Sequence, residues 1–141
     1  MKRSPALVPL GHDHHHALEA ALLLRRATNE DLAAAIERFR GFWSEHGERR
    51  HFEIEEELLL PALAGDEQWD GMADRVRREH EEIRAQAEKV GTVEDAHALG
   101  RLLNQHVRFE ERELFELLES RLDAGELVRL GQEIEAARQR P

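Results

Sequence analysis

The sequence predicts an all-α fold: an antiparallel, up-down-up-down four-helix bundle with a short additional C-terminal helix. Three observations carry that expectation. Apolar residues recur at steps of three and four along four separate stretches, which is the period of a half-buried helix. Glycine and proline number nine and four in 141 residues, too few to punctuate a sheet fold. The breaks between stretches are short, and short breaks join antiparallel neighbours.

Each element follows from its own residues. Pro5, Pro9 and Gly11 mark an irregular leader, and the first helix is expected from about Asp13 to Ala27. Its inward side would be His15, Leu18 and Leu22, with Leu24 beside them, and Arg25 and Arg26 would face the C-terminal dipole. Thr28 and Asp31 have the spacing of a capping box for the second helix. Its stripe runs Leu32, Ile36, Phe39, Trp43, His51, Glu55 and Leu58, and Pro61 ends or kinks it. After Gly65 and Asp66 the third helix carries the cleanest stripe: Trp69, Met72, Val76, His80, Ile83, Ala87, Val90. Gly91 stops it, and Thr92 with Asp95 offers another capping box. The fourth helix presents Ala96, Leu99, Leu103, His106, Glu110, Leu114 and Leu117 on one side. Asp123 to Gly125 separates it from a final helix of about 124–138 holding Leu127, Leu130 and Ile134. The length suits one domain, 1–141, with a core of about 12–122.

Arm lengths test this topology. His51 and His80 stand at similar distances from their turn, as do His80 and His106 from theirs, so these three should share one level of the bundle. The first hairpin does not close as well. His15 lies about 11 residues before its turn and His51 about 20 after it, a mismatch of more than about 10 Å at 1.5 Å per residue. An interruption at Gly41 or Gly47, or a first part that crosses the bundle, would absorb it.

Two segments repeat one arrangement, His51-Phe-Glu-Ile-Glu55-Glu56 and His106-Val-Arg-Phe-Glu110-Glu111. A four-residue step puts histidine and glutamate on one helix face, about one turn apart. Ionised carboxylates turned into a core need a partner or a metal, and two that face each other repel unless cations intervene. Bridging glutamates between two ions, each ion also holding two imidazoles, would satisfy charge and geometry together. One oxo or hydroxo bridge would then leave a position on each ion for water, dioxygen, peroxide or nitric oxide. In the His12-Asp13-His14-His15-His16 cluster, His15 shares the stripe of Leu18 and Leu22, with His14 as its rival. His12 and His16 read as exposed or supporting groups, and His46 and His97 as surface groups. Glu56 and Glu111 turn about 100° away from the ligand face, where they accept hydrogen bonds from neighbours or meet water. Glu53, Glu57, Glu79, Glu81 and Glu82 read as an acidic exterior, and Phe39, Trp43, Phe52, Phe109 and Phe115 as core.

Composition narrows the function. Without cysteine, the chain offers no disulfide, thiolate zinc site, iron–sulfur cluster or thiol nucleophile, leaving nitrogen and oxygen donors that suit iron, manganese or zinc. A formal net charge of -10 disfavours nucleic acid and anionic membranes as partners. No apolar run approaches the roughly 20 residues that cross a bilayer, and the leader's apolar part is too short for a secretion signal. A cytoplasmic location is expected.

With those residues in view, the chain resembles the hemerythrin-like, or HHE cation-binding, domains from His12 to about Leu122. HFEIEEELLLPAL from His51, REHEEI around His80 and HVRFEERELFELLE from His106 carry the resemblance. It implies a single hemerythrin-like domain with a non-haem diiron centre inside a four-helix bundle. The implied metal ligands are His15, His51, Glu55, His80, His106 and Glu110, with both glutamates bridging two iron ions. Oxygen-carrying members use a fifth histidine four residues from the third-helix ligand, but Val76 and Arg84 stand at those positions here. The resemblance therefore points to bacterial and regulatory members with four histidines and two glutamates. It implies a small diatomic or peroxide ligand and a binding or sensing role, with turnover of peroxide, dioxygen or nitric oxide as the alternative and iron storage or delivery as a further one. It leaves room for an unidentified redox or signalling partner, and for a monomer or homodimer.

Overall fold

The computed structural model describes residues 3–141. Met1 and Lys2, the charged start of the leader, lie outside the described residues. Four rods form an antiparallel bundle: α1 (Val8–Arg25), a second rod over 32–63, α3 (Glu67–Lys89) and a fourth rod over 93–121. A last helix, α6 (Ala124–Arg138), packs on the outside. Among the described residues, no helix is long and apolar enough to cross a membrane.

The first helix begins five residues earlier than its sequence pattern suggests. Pro9 sits in the first turn, where its missing N–H is not needed, and Gly11 lies inside the helix. Its buried face is Leu10, Asp13, His14, Ala17, Ala20, Ala21 and Leu24, while Leu22 and Leu23 are exposed. The alanines face inward because α1 runs against α4 (Val93–Phe109) at close range. A Cβ on Gly100 would lie 2.7 Å from the Ala21 carbonyl and 2.9 Å from the Arg25 nitrogen. Leucines on that face would hold the two backbones apart.

The second rod starts as α2 (Leu32–Phe42) and continues without a break. The capping box expected at Thr28 is only half made: Asp31 accepts from the Thr28 N–H at 2.7 Å, but no side chain caps the helix start. From Trp43 to Phe52 the winding is π-helical, and it is π-helical again over Glu55–Leu59. Wider turns take more residues for the same climb, so winding takes up part of the excess length of this arm. Gly47 is no break. Its missing Cβ makes room for the Trp43 ring, which would lie 2.7 Å away. Pro61 closes the rod in a 3-10 turn, Leu60–Leu63.

The last rods follow their stripes. Asp66 caps α3 by accepting from the Trp69 N–H, and the buried face is Trp69, Ala73, Val76, His80, Ile83 and Ala87. Thr92 and Asp95 form the reciprocal capping box of α4. The rod then passes through a π-helical turn, Glu110–Leu114, into α5 (Phe115–Arg121). Asp123 and Glu126 form a second capping box at the start of α6, which buries Leu130 and Ile134.

The core falls into two apolar layers. One gathers Leu24, Phe39, Phe42, Phe52, Ile83, Leu99 and Leu103 near the first and third turns. The other gathers Leu7, Leu10, Leu59, Trp69, Val76, Leu114, Phe115 and Ile134 at the opposite end. Between them lies a polar layer.

Candidate metal centre

That middle layer holds seven buried polar side chains: Asp13, His14, His51, Glu55, His80, His106 and Glu110. Two overlapping groups converge within it. His14, His51, Glu55 and Glu110 form the first pocket, and Glu55, His80, His106 and Glu110 the second. In each group the donor atoms lie within 4.8 Å of one another. Glu55 and Glu110 belong to both.

Both shared glutamates open a π-helical turn, one at Glu55–Leu59 and the other at Glu110–Leu114. The repeated His-x-x-x-Glu-Glu segment thus repeats in backbone as well as in sequence. Such turns insert one extra residue and re-aim the side chains beside it.

All four imidazoles are oriented the same way. Each turns Nδ1 outward to a carboxylate on an adjacent rod and Nε2 inward. His14 Nδ1 donates to Glu111 at 2.7 Å, His51 to Asp13 at 3.0 Å, His80 to Glu56 at 2.7 Å and His106 to Glu79 at 2.7 Å. The bonds run once round the bundle: first rod to fourth, fourth to third, third to second, second to first. Each carboxylate in turn meets an arginine. Arg138 grips Asp13 at 2.6 and 3.1 Å, and Arg84 grips Glu56 at 2.8 and 3.0 Å. Arg75 reaches Glu79 at 3.0 Å, and Arg3 reaches Glu111 at 3.4 Å. A carboxylate on Nδ1–H holds the ring so that Nε2 faces the centre, where it would offer its lone pair to a metal once its proton is displaced.

In the first pocket the inner atoms meet: Glu110 Oε1 accepts from His14 Nε2 at 2.7 Å and from His51 Nε2 at 3.5 Å. In the second they do not pair. His80 Nε2 lies 3.1 Å from Glu55 Oε1 and His106 Nε2 3.2 Å from Glu110 Oε2, but misaligned for hydrogen bonding. Both Glu55 oxygens, Glu110 Oε2 and the Nε2 atoms of His80 and His106 are buried without a hydrogen-bond partner. Leaving so many polar atoms unpaired is costly, whereas a cation would satisfy them together. The donor set therefore fits two divalent ions with nitrogen and oxygen ligands.

Electrostatics agrees. Burial alone would push the His106 pKa down, yet the adjacent Glu110 charge and the Glu79 hydrogen bond override it, raising the pKa to about 10. His51 is raised well above its ordinary value against the same burial cost, by the Glu55 charge and the Asp13 bond. Burial would raise Glu110, but His106 and the bonds from His14 and His51 hold it well below the usual carboxylate range. Without a cation, protons on the imidazoles compensate the buried acids. A metal would displace those protons.

Two aromatic rings flank the centre. Phe52 stacks on His80 with centroids 3.7 Å apart, and Phe115 stacks on His14 at 5.2 Å. Phe39 and Trp43 stack on each other in the apolar layer, as core.

The description "Hemerythrin HHE cation binding domain" fits a family model that matches residues 8–118. The chain belongs to that family. No curated protein and no solved structure is significantly similar to it. The centre of this hemerythrin-like chain gathers four histidines and two glutamates, the composition of the bacterial and regulatory members, with Val76 and Arg84 where a fifth histidine would stand.

The structure brings His51, Glu55, His80, His106 and Glu110 together, and on the first helix it places His14, the rival of His15, beside them. His14 is 4 % exposed and lies inside the first pocket. His15, the expected ligand, has a side chain 74 % exposed and pairs with Glu19 at 3.1 Å. The α1 face is turned by one position because alanines, not Leu18 and Leu22, pack on α4. Sequence reasoning also missed Asp13 and assigned Glu79 to the exterior, although both hold a histidine of the centre. One signal was available. Every outer carboxylate is the chain neighbour of an inner group: Asp13 of His14, Glu56 of Glu55, Glu79 of His80, Glu111 of Glu110. His46, read as a surface group, stacks on His16 and comes within 3.6 Å of Asp13. His97 bonds to the Ala27 carbonyl at the far end of α1.

Proposed function

We propose that this hemerythrin-like chain is a non-haem diiron protein that binds or senses dioxygen, peroxide or nitric oxide. The observation that carries this reading is the pair of buried pockets sharing Glu55 and Glu110, in which both Glu55 oxygens, one Glu110 oxygen and the inner nitrogens of His80 and His106 find no hydrogen-bond partner. His14, His51, His80 and His106 would supply the nitrogens, two to each pocket, and the glutamates would bridge. Two iron ions there would supply coordination positions for a small ligand and two accessible oxidation states.

The chain's own groups set the terms of that binding. Outer carboxylates orient the imidazoles, and the six inner groups are at most 4 % exposed, so water is held back. Phe52 and Phe115 add apolar walls. This closure favours a ligand of two or three atoms over a bulky substrate, and supports binding or sensing over an oxidoreductase role. The cytoplasmic setting expected from the cysteine-free composition belongs to the same proposal.

Metal analysis of protein purified without added metal tests it. About two irons per chain are expected, with near-ultraviolet absorption that changes when azide, peroxide or nitric oxide is added. No iron, or many irons per chain, would reject the reading.

A further inference from the structure

The pockets differ in what holds them from outside. The second is braced from within the bundle: Arg75 and Arg84, both on α3, grip the carboxylates that orient His106 and His80. The first is braced by the two ends of the chain. Arg138, in the last turn of α6, grips Asp13 with both prongs of its guanidinium and also donates to the Arg50 carbonyl at 2.9 Å. Asp13 is 2 % exposed, and among the described residues its other close partners are His46 and His51. Arg3, in the leader, donates to the Glu111 carbonyl at 3.0 Å and meets the Glu111 carboxylate that orients His14. Both arginines lie outside residues 8–118, the stretch shared with the family.

The two ends also hold each other. A Cβ on Gly131 of α6 would come within 3.0 Å of the Ala6 Cα, so leader and helix run in close contact. Leu130 and Ile134 anchor α6 in the same apolar layer as Leu7 and Leu10. Arg138 lies one turn beyond Ile134, on the anchored face.

We propose that the leader and α6 form a clamp on the first pocket alone, in which Arg138 is a positioning residue that fixes His51 through Asp13. The Arg138 bond then sets how tightly that pocket keeps its ion, while the second pocket is held by the arginines of α3. This inference rests on the diiron reading.

Iron-loaded full-length protein exposed to excess ferrous chelator provides the test. In Arg138→Gln, about half of the iron is expected to leave at least ~10-fold faster than from the wild type, the usual size of an effect on groups that orient a ligand. The other half should leave at the wild-type rate. Arg140→Gln removes an exposed pair with Glu57 just past the end of α6 and should change neither rate. Arg138→Lys keeps the charge but not the two-pronged bond, and should fall between the wild type and Arg138→Gln. In proton NMR of the iron-loaded chain, the shifted Nδ1–H signal of His51 should move or exchange faster in Arg138→Gln, while that of His106 stays in place. If Arg138→Gln fails to fold, one accelerated phase in Arg138→Lys supports the clamp and wild-type release overturns it. Wild-type release from Arg138→Gln, or equal acceleration of all the iron, overturns the inference alone. A wild-type chain that holds no iron overturns it together with the diiron reading.

Discussion

The second pocket is braced largely from one helix, α3, and its groups come from rods that follow one another in the chain, whereas the first is braced by segments far apart. Arg75, Glu79, His80 and Arg84 all sit on α3, and the bonds to His80 and His106 span 24 and 27 residues. Around the first pocket, the His14–Glu111 bond spans 97 residues, the Arg3–Glu111 bond 108 and the Arg138–Asp13 bond 125. Chemically the pockets match: two imidazoles, two outer carboxylates and two arginines each. They differ in how much of the tertiary structure must be in place before each one exists. A site is only as stable as the docking of its most weakly held segment, and for the first pocket those segments are the two ends of the chain.

The largest effect should come from the groups that make the pockets one centre. Glu110 approaches all four histidines, at 2.7 Å from His14, 3.5 Å from His51, 3.2 Å from His106 and 4.0 Å from His80. Glu55 approaches only His51 and His80, at 3.2 and 3.1 Å. Glu110→Ala is therefore expected to lose both irons, and Glu55→Ala at least one, in metal analysis of the purified variants. If Glu110→Ala kept two, Glu110 would not be a bridge, and Glu55 alone would join the pockets.

The same contrast explains what could be read from the amino acids alone. The third and fourth rods were legible because large apolar residues mark their faces at three- and four-residue steps, and His80, His106 and Glu110 fall within those stripes. The first helix was legible as a helix but not in phase. Its leucines at 18, 22 and 23 outweigh Ala17, Ala20 and Ala21 by hydrophobicity, yet the alanines are buried because Gly100 brings α4 so close. Nothing within α1 announces that approach. π-helical winding was equally hidden, and only the mismatch of the first hairpin's arms hinted that the second rod was not an ordinary helix. Glu79 was read as exterior because a step of one residue from a ligand points away from the centre. In a bundle, that direction leads to the next rod before it leads to water.

One metal's worth of change separates His14 from His15. His14→Ala should lose one iron and leave the second pocket filled, because His80, His106 and both glutamates remain. His15→Ala should keep both, since His15 has no role beyond its exposed pair with Glu19. The reverse result would mean that α1 turns by one residue when the metals bind, and would return His15 to the ligand set.

The smallest effect sought is graded rather than all-or-none, and belongs to the metal-free chain. Its buried acids are balanced by protonated imidazoles in both pockets: His14 is raised despite burial by its bonds to Glu110 and Glu111, and His106 is raised to about 10. A histidine raised in the folded state stabilises it fully below its unfolded value of 6.5, and the contribution fades as pH climbs towards 10. Glu56 works in the other sense. Burial would raise it, but the bonds from His80 and Arg84 lower it from 4.5 to about 2, so its contribution is present above 4.5 and fades as pH falls towards 2. Thermal melts of the metal-free chain should therefore be highest between about pH 4.5 and 6.5 and decline towards pH 10. With iron bound, that alkaline decline should flatten, because metals have taken the place of the protons. A metal-free midpoint that rises from pH 6.5 to 9 would mean that the imidazoles are already neutral, and that something other than their charge holds Glu55 and Glu110 in the core.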